Sequence, residues 1–308
     1  MVNLERWKPS RARAAVERLA SPMIYLLNRP RCAGASRLIY EFALRCNGIG
    51  NNATGPSGLA RGEERFLRRT AADFRAGTVL DVGANAGDYA RHVRSLAPEA
   101  SIVAFEPHPR TFGRLRRTAE THRFEAINMA VSDTAGTVTL YDFPDTDGST
   151  QASLDPGVIM LHGGRAPVSH QVECTTLDAF AEARGIETVH LLKIDTEGFD
   201  LNVLKGARRL LAERRIKLIH FEFIGSNVVR RVCMRDFFEV FEEGGYGIAR
   251  ICLNGMLLPL GAYSPKFHEI FVRHNLVAAP SRGMPAARAA DGGAAGRTAQ
   301  SAGQGATG

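Results

Sequence analysis

Five carboxylates in this 308-residue chain sit inside or just beyond short apolar runs. Asp81 lies in Thr-Val-Leu-Asp-Val (78–82), and Glu106 closes Ile-Val-Ala-Phe (102–105). Asp195 and Glu197 follow Leu-Leu-Lys-Ile (191–194), and Glu222 lies in Ile-His-Phe-Glu-Phe (219–223). In open α/β sheets, ligands bind in the crevice beyond the C-terminal ends of the strands, so acids at strand ends converge there. Glu106 stands where it can accept both hydroxyls of a ribose. Asp81 is two residues before Gly83, in a Gly-rich turn that runs from strand to helix, and can face a cation such as an amino-acid ammonium.

An acid for a ribose and an acid for an ammonium together favour S-adenosylmethionine over a dinucleotide. The dinucleotide fingerprint, Gly-x-Gly-x-x-Gly, lets backbone approach a pyrophosphate at a helix N-terminus. Here those positions hold Gly83, Asn85 and Asp88. Asn tolerates a left-handed backbone, but Asp88 would repel a pyrophosphate. An NAD-dependent oxidoreductase is therefore the weaker alternative. A non-catalytic nucleoside-binding scaffold is a second, and the retention of Asp81, Glu106 and Asp195 speaks against it.

Short apolar strands must carry these residues. Strands are expected at 79–82, 102–105, 125–129, 189–194, 217–223, 247–252 and 269–272. Helices are expected between them at about 86–96, 110–121, 199–212 and 234–243. A further β segment, 137–141, is expected to pair with 168–174. Such alternation calls for an α/β fold with a mostly parallel sheet covered on both faces. Residues 1–75 read as a basic helical N-terminal extension and 76–275 as the main domain. Residues 276–308, rich in Ala, Gly, Ser and Pro, read as a disordered tail.

Charge divides along the same lines. Residues 1–77 hold 14 Lys+Arg against 6 Asp+Glu, and residues 78–275 hold 22 against 25. The basic excess lies outside the presumed site, which argues against a nucleic-acid substrate. The basic arm is read as a solvated surface, with a weak peripheral contact to an anionic membrane or scaffold as the other reading. The five cysteines show no Cys-x-x-Cys spacing, as expected of free thiols in a reducing compartment. No signal peptide or bilayer-spanning run is evident, and a cytoplasmic protein is expected.

Several motifs occur in a fixed order: Asp-Val-Gly-Ala-Asn-Ala-Gly (81–87), Phe-Glu-Pro-His-Pro (105–109), Asn-Met-Ala-Val-Ser-Asp (128–133), Thr-Thr-Leu-Asp (175–178), Leu-Lys-Ile-Asp-Thr-Glu-Gly (192–198) and Val-Leu-Lys-Gly-Ala (203–207). The set resembles the FkbM family of S-adenosylmethionine-dependent methyltransferases, over about residues 76–275. The resemblance implies a Rossmann-like class I methyltransferase fold: a seven-stranded, mostly parallel sheet with an antiparallel last strand and helices on both faces. It also implies O-methylation of a small-molecule or carbohydrate hydroxyl. By position it puts Gly83, Asn85 and Gly87 along the methionine part of the cofactor, with Asp81 nearby. Glu106 then holds the ribose, and Ser132 and Asp133 meet the adenine edge. Ser149, Thr150 and Ser153 resemble the family's Ser-rich loop.

Methyl transfer to an alcohol is helped by a group that takes up the hydroxyl proton. Asp195 is the first candidate, followed by Glu197 and Glu222. Glu197 could instead cap the helix that opens near Phe199. His220 is read as a satisfied core histidine facing away from Glu222. Convergent carboxylates could also hold a divalent cation, but cofactor binding accounts for them, and no metal is expected.

Overall fold

A computed structural model describes residues 11–51, 53–146, 148–163 and 166–281. Eleven strands are described: β1 Thr78–Val82, β2 Ser101–Phe105, β3 Glu125–Ile127, β4 Ala130–Val131, β5 Gly136–Asp142, β6 Val168–Thr175, β7 Leu191–Ile194, β8 Ile219–Phe223, β9 Tyr246–Ile251, β10 Leu257–Pro259 and β11 His274–Pro280. The helices are α1 Arg11–Leu27, α2 Ala33–Cys46, α3 Arg61–Thr70, α4 Asp88–Leu96, α5 Pro109–His122, α6 Pro156–Gly163, α7 Leu177–Ala183, α8 Asp200–Lys205, α9 Arg208–Ala212, α10 Ser226–Val229, α11 Met234–Gly244 and α12 Pro265–His268.

The chain divides into two units, residues 1–37 with 286–308, and residues 38–285. The described part of the first is α1, a 3-10 turn at Pro30–Cys32 and the start of α2. No helix among the described residues is long and apolar enough to cross a membrane.

The second unit is built on a sheet of order β10-β9-β11-β8-β7-β1-β2-β3. Strands β3, β2, β1, β7 and β8 pair in parallel. β11 runs antiparallel between β8 and β9. Six of the seven expected strands are present, and the expected reversed last strand is β11, at residues other than those expected. The short β10 adds an eighth, hairpinned onto β9. A smaller sheet, β4-β6-β5, contains the expected antiparallel pair, β5 with β6.

Strand periodicity decides which side chains share a face. Leu80, Val82, Leu192, Ile194, Phe221 and Phe223 enter one core cluster, against Phe237 and Phe241 of α11. Val79, Ile102 and Leu191 enter the other, against Phe66, Phe74 and Tyr89. Burial on both faces explains why these strands read as continuous apolar runs. The face of Val79 and Leu191 also carries Asp81 and Lys193, which are register partners, and Lys193 is in turn opposite His220. A polar row thus crosses the middle of an otherwise apolar face.

Three sequence expectations are corrected. The last strand is His274–Pro280, not 269–272. Glu269 is drawn out of strand geometry because its carboxylate accepts the Met234 and Arg235 amides at the start of α11, both at 3.0 Å. β11 therefore crosses the expected boundary at 275, and residues 276–280 are strand; the rest of the expected tail, 282–308, lies outside the described residues. The expected helix 199–212 is broken into α8 and α9. At the break, a Cβ on Gly206 would lie 2.0 Å from the Ser132 carbonyl oxygen.

Phe221 is fully buried, with its ring 5.2 Å from those of both Phe237 and Phe241. Phe221→Ala should destabilise the protein by about 3–5 kcal/mol, the scale for truncating a core aromatic, measured by urea unfolding. A loss below about 1 kcal/mol would show that this face of the sheet is not the packed core described.

Candidate active site

A cavity of about 340 Å³ opens beyond the C-terminal ends of β1, β2, β7 and β8. Part of its wall comes from residues 54–63, which end in the first turn of α3, and part from Ser149–Leu154, after β5. Seven of the expected residues line it: Asp81, Gly83, Asn85, Glu106, Asp195, Glu197 and Glu222. So do Ser149, Thr150 and Ser153.

The turn after β1 shapes one end. Gly83 and Asn85 have φ of 80° and 50°, in the left-handed region. The amides of Gly83 and Ala84 both donate to the Phe105 carbonyl, at 3.0 and 2.9 Å, tying the turn to β2. Glu106 is clamped at the same place. One carboxylate oxygen accepts the Asn85 amide and the other the His108 amide, each at 2.9 Å. A carboxylate oxygen has two lone pairs, so each keeps one for a ligand. Burial pushes Glu106 up to about 7, against the pull of those two amides. Asp81 is fully buried, and its Oδ2 has no hydrogen-bond partner. Burial pushes Asp81 up to about 7 as well; nearby Lys193 opposes this and Asp195 adds to it.

The other end is organised by ion pairs. Lys193, only 3% exposed, places its ammonium 3.1 Å from Asp195 Oδ2 and 5.7 Å from the centre of the Tyr89 ring. Burial alone would lower this ammonium, but Asp195, Glu222, Glu63 and Asp200 together outweigh it and push it up. Arg273 donates to one oxygen of Glu222 through Nη2 at 2.7 Å and Nε at 3.2 Å. The other oxygen, Oε2, is buried without a partner. Glu222 and Glu197 are both raised, by burial first and then by Asp195. Glu197 has φ of 51°, a conformation that a non-glycine residue holds only under constraint. Its carbonyl accepts the Ser153 hydroxyl at 3.1 Å.

Three expected residues are not brought to the cavity wall. Gly87 starts α4 with φ of 90°, and a Cβ there would press on Leu115 and Phe124. It is needed for packing between α4 and α5. The Ser132 hydroxyl donates to Asp133, whose other oxygen accepts from Asn202 at 3.0 Å. The preceding residues Met129, Ala130 and Val131 line the cavity. His220 is two residues from Glu222, so the two share a face of β8; the expectation of opposite faces is corrected. It is a satisfied buried histidine, accepting from Tyr89 Oη at 3.1 Å and donating to Asn275 Oδ1 at 3.2 Å. Burial holds it well below the usual imidazole value.

Sequence reasoning missed Lys193, Glu63 and Arg273 as cavity residues. Lys193 had a readable signal: it is the one charge in an apolar strand and shares a strand face with Asp195. Glu63 had none, because its approach to His220 (3.4 Å) links residues far apart in the chain. Among the described residues no group of three or more His, Cys, Asp or Glu is arranged to hold a metal ion.

The family profile described as the methyltransferase FkbM domain matches residues 81–246. The 2-O-methyltransferase NoeI of Sinorhizobium fredii is 29% identical over 152 residues, 44% of this chain and 60% of that protein. The 31-O-demethyl-FK506 methyltransferase FkbM of Streptomyces tacrolimicus is 31% identical over 169 residues, 46% of this chain and 64% of that protein. The hexuronic acid methyltransferase AglP of Haloferax volcanii is 28% identical over 155 residues, 49% and 59%. The chain thus spans about three-fifths of the length of these curated relatives.

A Cβ at Gly83 would lie 1.8 Å from the Asp195 carbonyl oxygen, at a φ that already disfavours any side chain. Gly83→Ala should therefore force β1 and β7 apart at the cavity. The expected outcome is a melting temperature lowered by several degrees, on the order of 1–3 kcal/mol. An unchanged melting curve would mean that the two strand ends are not in contact.

Proposed function

This chain belongs to the FkbM methyltransferase family, and we propose that it transfers a methyl group from S-adenosylmethionine to a hydroxyl of a sugar or other small molecule. The observation that carries this reading is the pairing, across the Gly83 turn, of a clamped Glu106 with an Asp81 whose Oδ2 is buried and unpartnered. Glu106 offers one free lone pair on each oxygen to the two hydroxyls of a ribose. Asp81 offers its unpaired oxygen to an ammonium. A buried polar atom without a partner costs about 1–3 kcal/mol, which a cationic ligand group at Asp81 would relieve.

When bound, S-adenosylmethionine supplies an electrophilic methyl on a sulfonium. The chain's own part is alignment and proton uptake. Asp195, 29% exposed at its side chain and lining the cavity, takes the proton that the acceptor hydroxyl gives up. Lys193 positions it by the 3.1 Å ion pair. Glu222, through its unpaired oxygen, and Glu197 accept hydrogen bonds from further hydroxyls of the acceptor, and either is the next candidate for the base. Lys193 and Arg273 already offset the acids here, so the reading requires no divalent cation. Relatives named for 2-O-methylation, a hexuronic acid and a demethylated FK506 support an oxygen acceptor on a carbohydrate or small molecule.

S-adenosylhomocysteine should bind and NAD should not, by calorimetry. Asp81 and Glu106 are both raised to about 7, so the free protein holds protons there below that pH. Those raised values stabilise the ligand-free fold at low pH, and the contribution is lost as pH rises through about 7. An ammonium needs Asp81 ionised, so S-adenosylhomocysteine should bind more tightly at pH 8 than at pH 6, releasing protons at the lower pH. Asp81→Asn should remove most of that dependence. Equal affinity at the two pH values would place the ammonium elsewhere, and binding of NAD alone would overturn the reading.

With any hydroxyl acceptor the protein methylates, Asp195→Asn should lower turnover by about 10²–10⁴-fold, the range for general base catalysis. Affinity for S-adenosylhomocysteine should change little. Unchanged turnover would remove Asp195 from the base role; a collapse of affinity would move it to the cofactor pocket.

A further inference from the structure

Two helices outside the cavity present apolar faces to solvent. In α1, Leu19, Met23 and Leu26 recur at i, i+4 and i+7, with Ile24 beside them, and all four are more than half exposed, Leu19 at 82%. In α2, Leu38, Ile39 and Phe42 share a side and are also more than half exposed, Phe42 at 69%. No residue of α2 is buried. With 3.6 residues per turn, Arg18 and Tyr25 fall outside the apolar arc of α1, while Arg37 and Glu41 fall opposite that of α2, with Arg45 at its border. Each helix is amphipathic, and an amphipathic face is made to be covered.

The charge and composition of the chain choose among occupants. Residues 282–308 contain no Leu, Ile, Val, Phe, Tyr or Trp, and their net charge is positive; Met284 is their one large apolar side chain, too little to fill two faces. A second copy would bring the same charge: residues 1–46 hold nine Lys+Arg against three Asp+Glu. An anionic surface with an apolar interior meets both requirements. The apolar arc of α1, from Leu26 through Leu19 and Met23 to Ile24, is also broader than the narrow seam of a helix-pair contact. Aromatic residues stand at the polar margin, with the Arg29 guanidinium 5.6 Å from the Tyr25 ring, an arrangement suited to the headgroup level.

We propose that α1 and α2 dock this protein onto an anionic lipid bilayer, each lying in the interface with its apolar face at the acyl boundary and its arginines among the headgroups. The proposal is independent of the methyltransferase reading.

The test is flotation of the full chain with phosphatidylcholine vesicles, with and without about 30 mol% phosphatidylglycerol, an anionic fraction sufficient to attract polybasic segments. The protein should float with the anionic vesicles and not with phosphatidylcholine alone. Raising salt from about 0.1 to 1 M should cut the bound fraction several-fold, because the Debye length falls to about 3 Å. The double variants Leu19→Glu/Met23→Glu and Leu38→Glu/Phe42→Glu should each reduce partitioning on the order of tenfold. These positions are exposed, so their circular dichroism melting curves should match that of the parent chain. No flotation with anionic vesicles would overturn the proposal, as would binding indifferent to lipid charge and salt. A dimer by light scattering that the variants dissociate, without vesicle binding, would assign the faces to a second copy instead.

Discussion

The Lys193 ammonium is buried in the middle of a parallel sheet, and the cavity is arranged around the need to neutralise it. A charge removed from water is tolerated only when paired and hydrogen-bonded. Asp195 pairs with it directly, Tyr89 lays a ring near it, and Asp81 and His220 stand beside it in register on the two neighbouring strands. The acids around it in turn need it: Asp81, Glu63 and Glu222 are all pushed up by burial, and Lys193 pulls each one back, joined by Arg273 at Glu63 and Glu222. Lys193, with Arg273 at Glu222, thereby permits a concentration of carboxylates in a small cavity.

The two ends of the cavity differ in how their acids are held. Glu106 is fixed by backbone amides, so its orientation follows from the turn and not from another side chain. Glu222 and Asp195 are fixed by side-chain cations, which can reorient when a ligand enters. The first arrangement suits a group that every bound donor presents identically. The second, under the proposed function, suits acceptors that differ in where their hydroxyls lie. Gly83 joins the ends, because its Cα lies against the Asp195 carbonyl.

Much of the second unit was legible in the chain because its strands are buried on both faces and read as apolar runs closed by acids. The Asp81–Gly87 turn and Glu106 could be placed by local spacing alone. What escaped was set by long-range contact. Glu63 reaches the cavity from a helix that precedes the first strand of the sheet, and Arg273 from the loop before β11; no local spacing connects either with Glu222 or His220. Glu269 left the expected strand for the amides at the start of α11, a capping role that hydropathy does not encode. Ser132 and Asp133 were placed by family position, and Asp133 bonds both the neighbouring Ser132 hydroxyl and Asn202, a contact that local spacing does not encode.

β11 is the last strand described, yet it lies between β8 and β9. During synthesis those two strands emerge first and must stay apart. Both are apolar and present unpaired backbone on the sides that will receive β11, a condition that invites mispairing with each other or with another chain. The vacancy closes only when residues 274–280 arrive, and the same segment brings Arg273 to Glu222. Until that segment pairs, the sheet stays open between β8 and β9 and Glu222 lacks its Arg273 partner, so closing the sheet and completing this end of the cavity are one event.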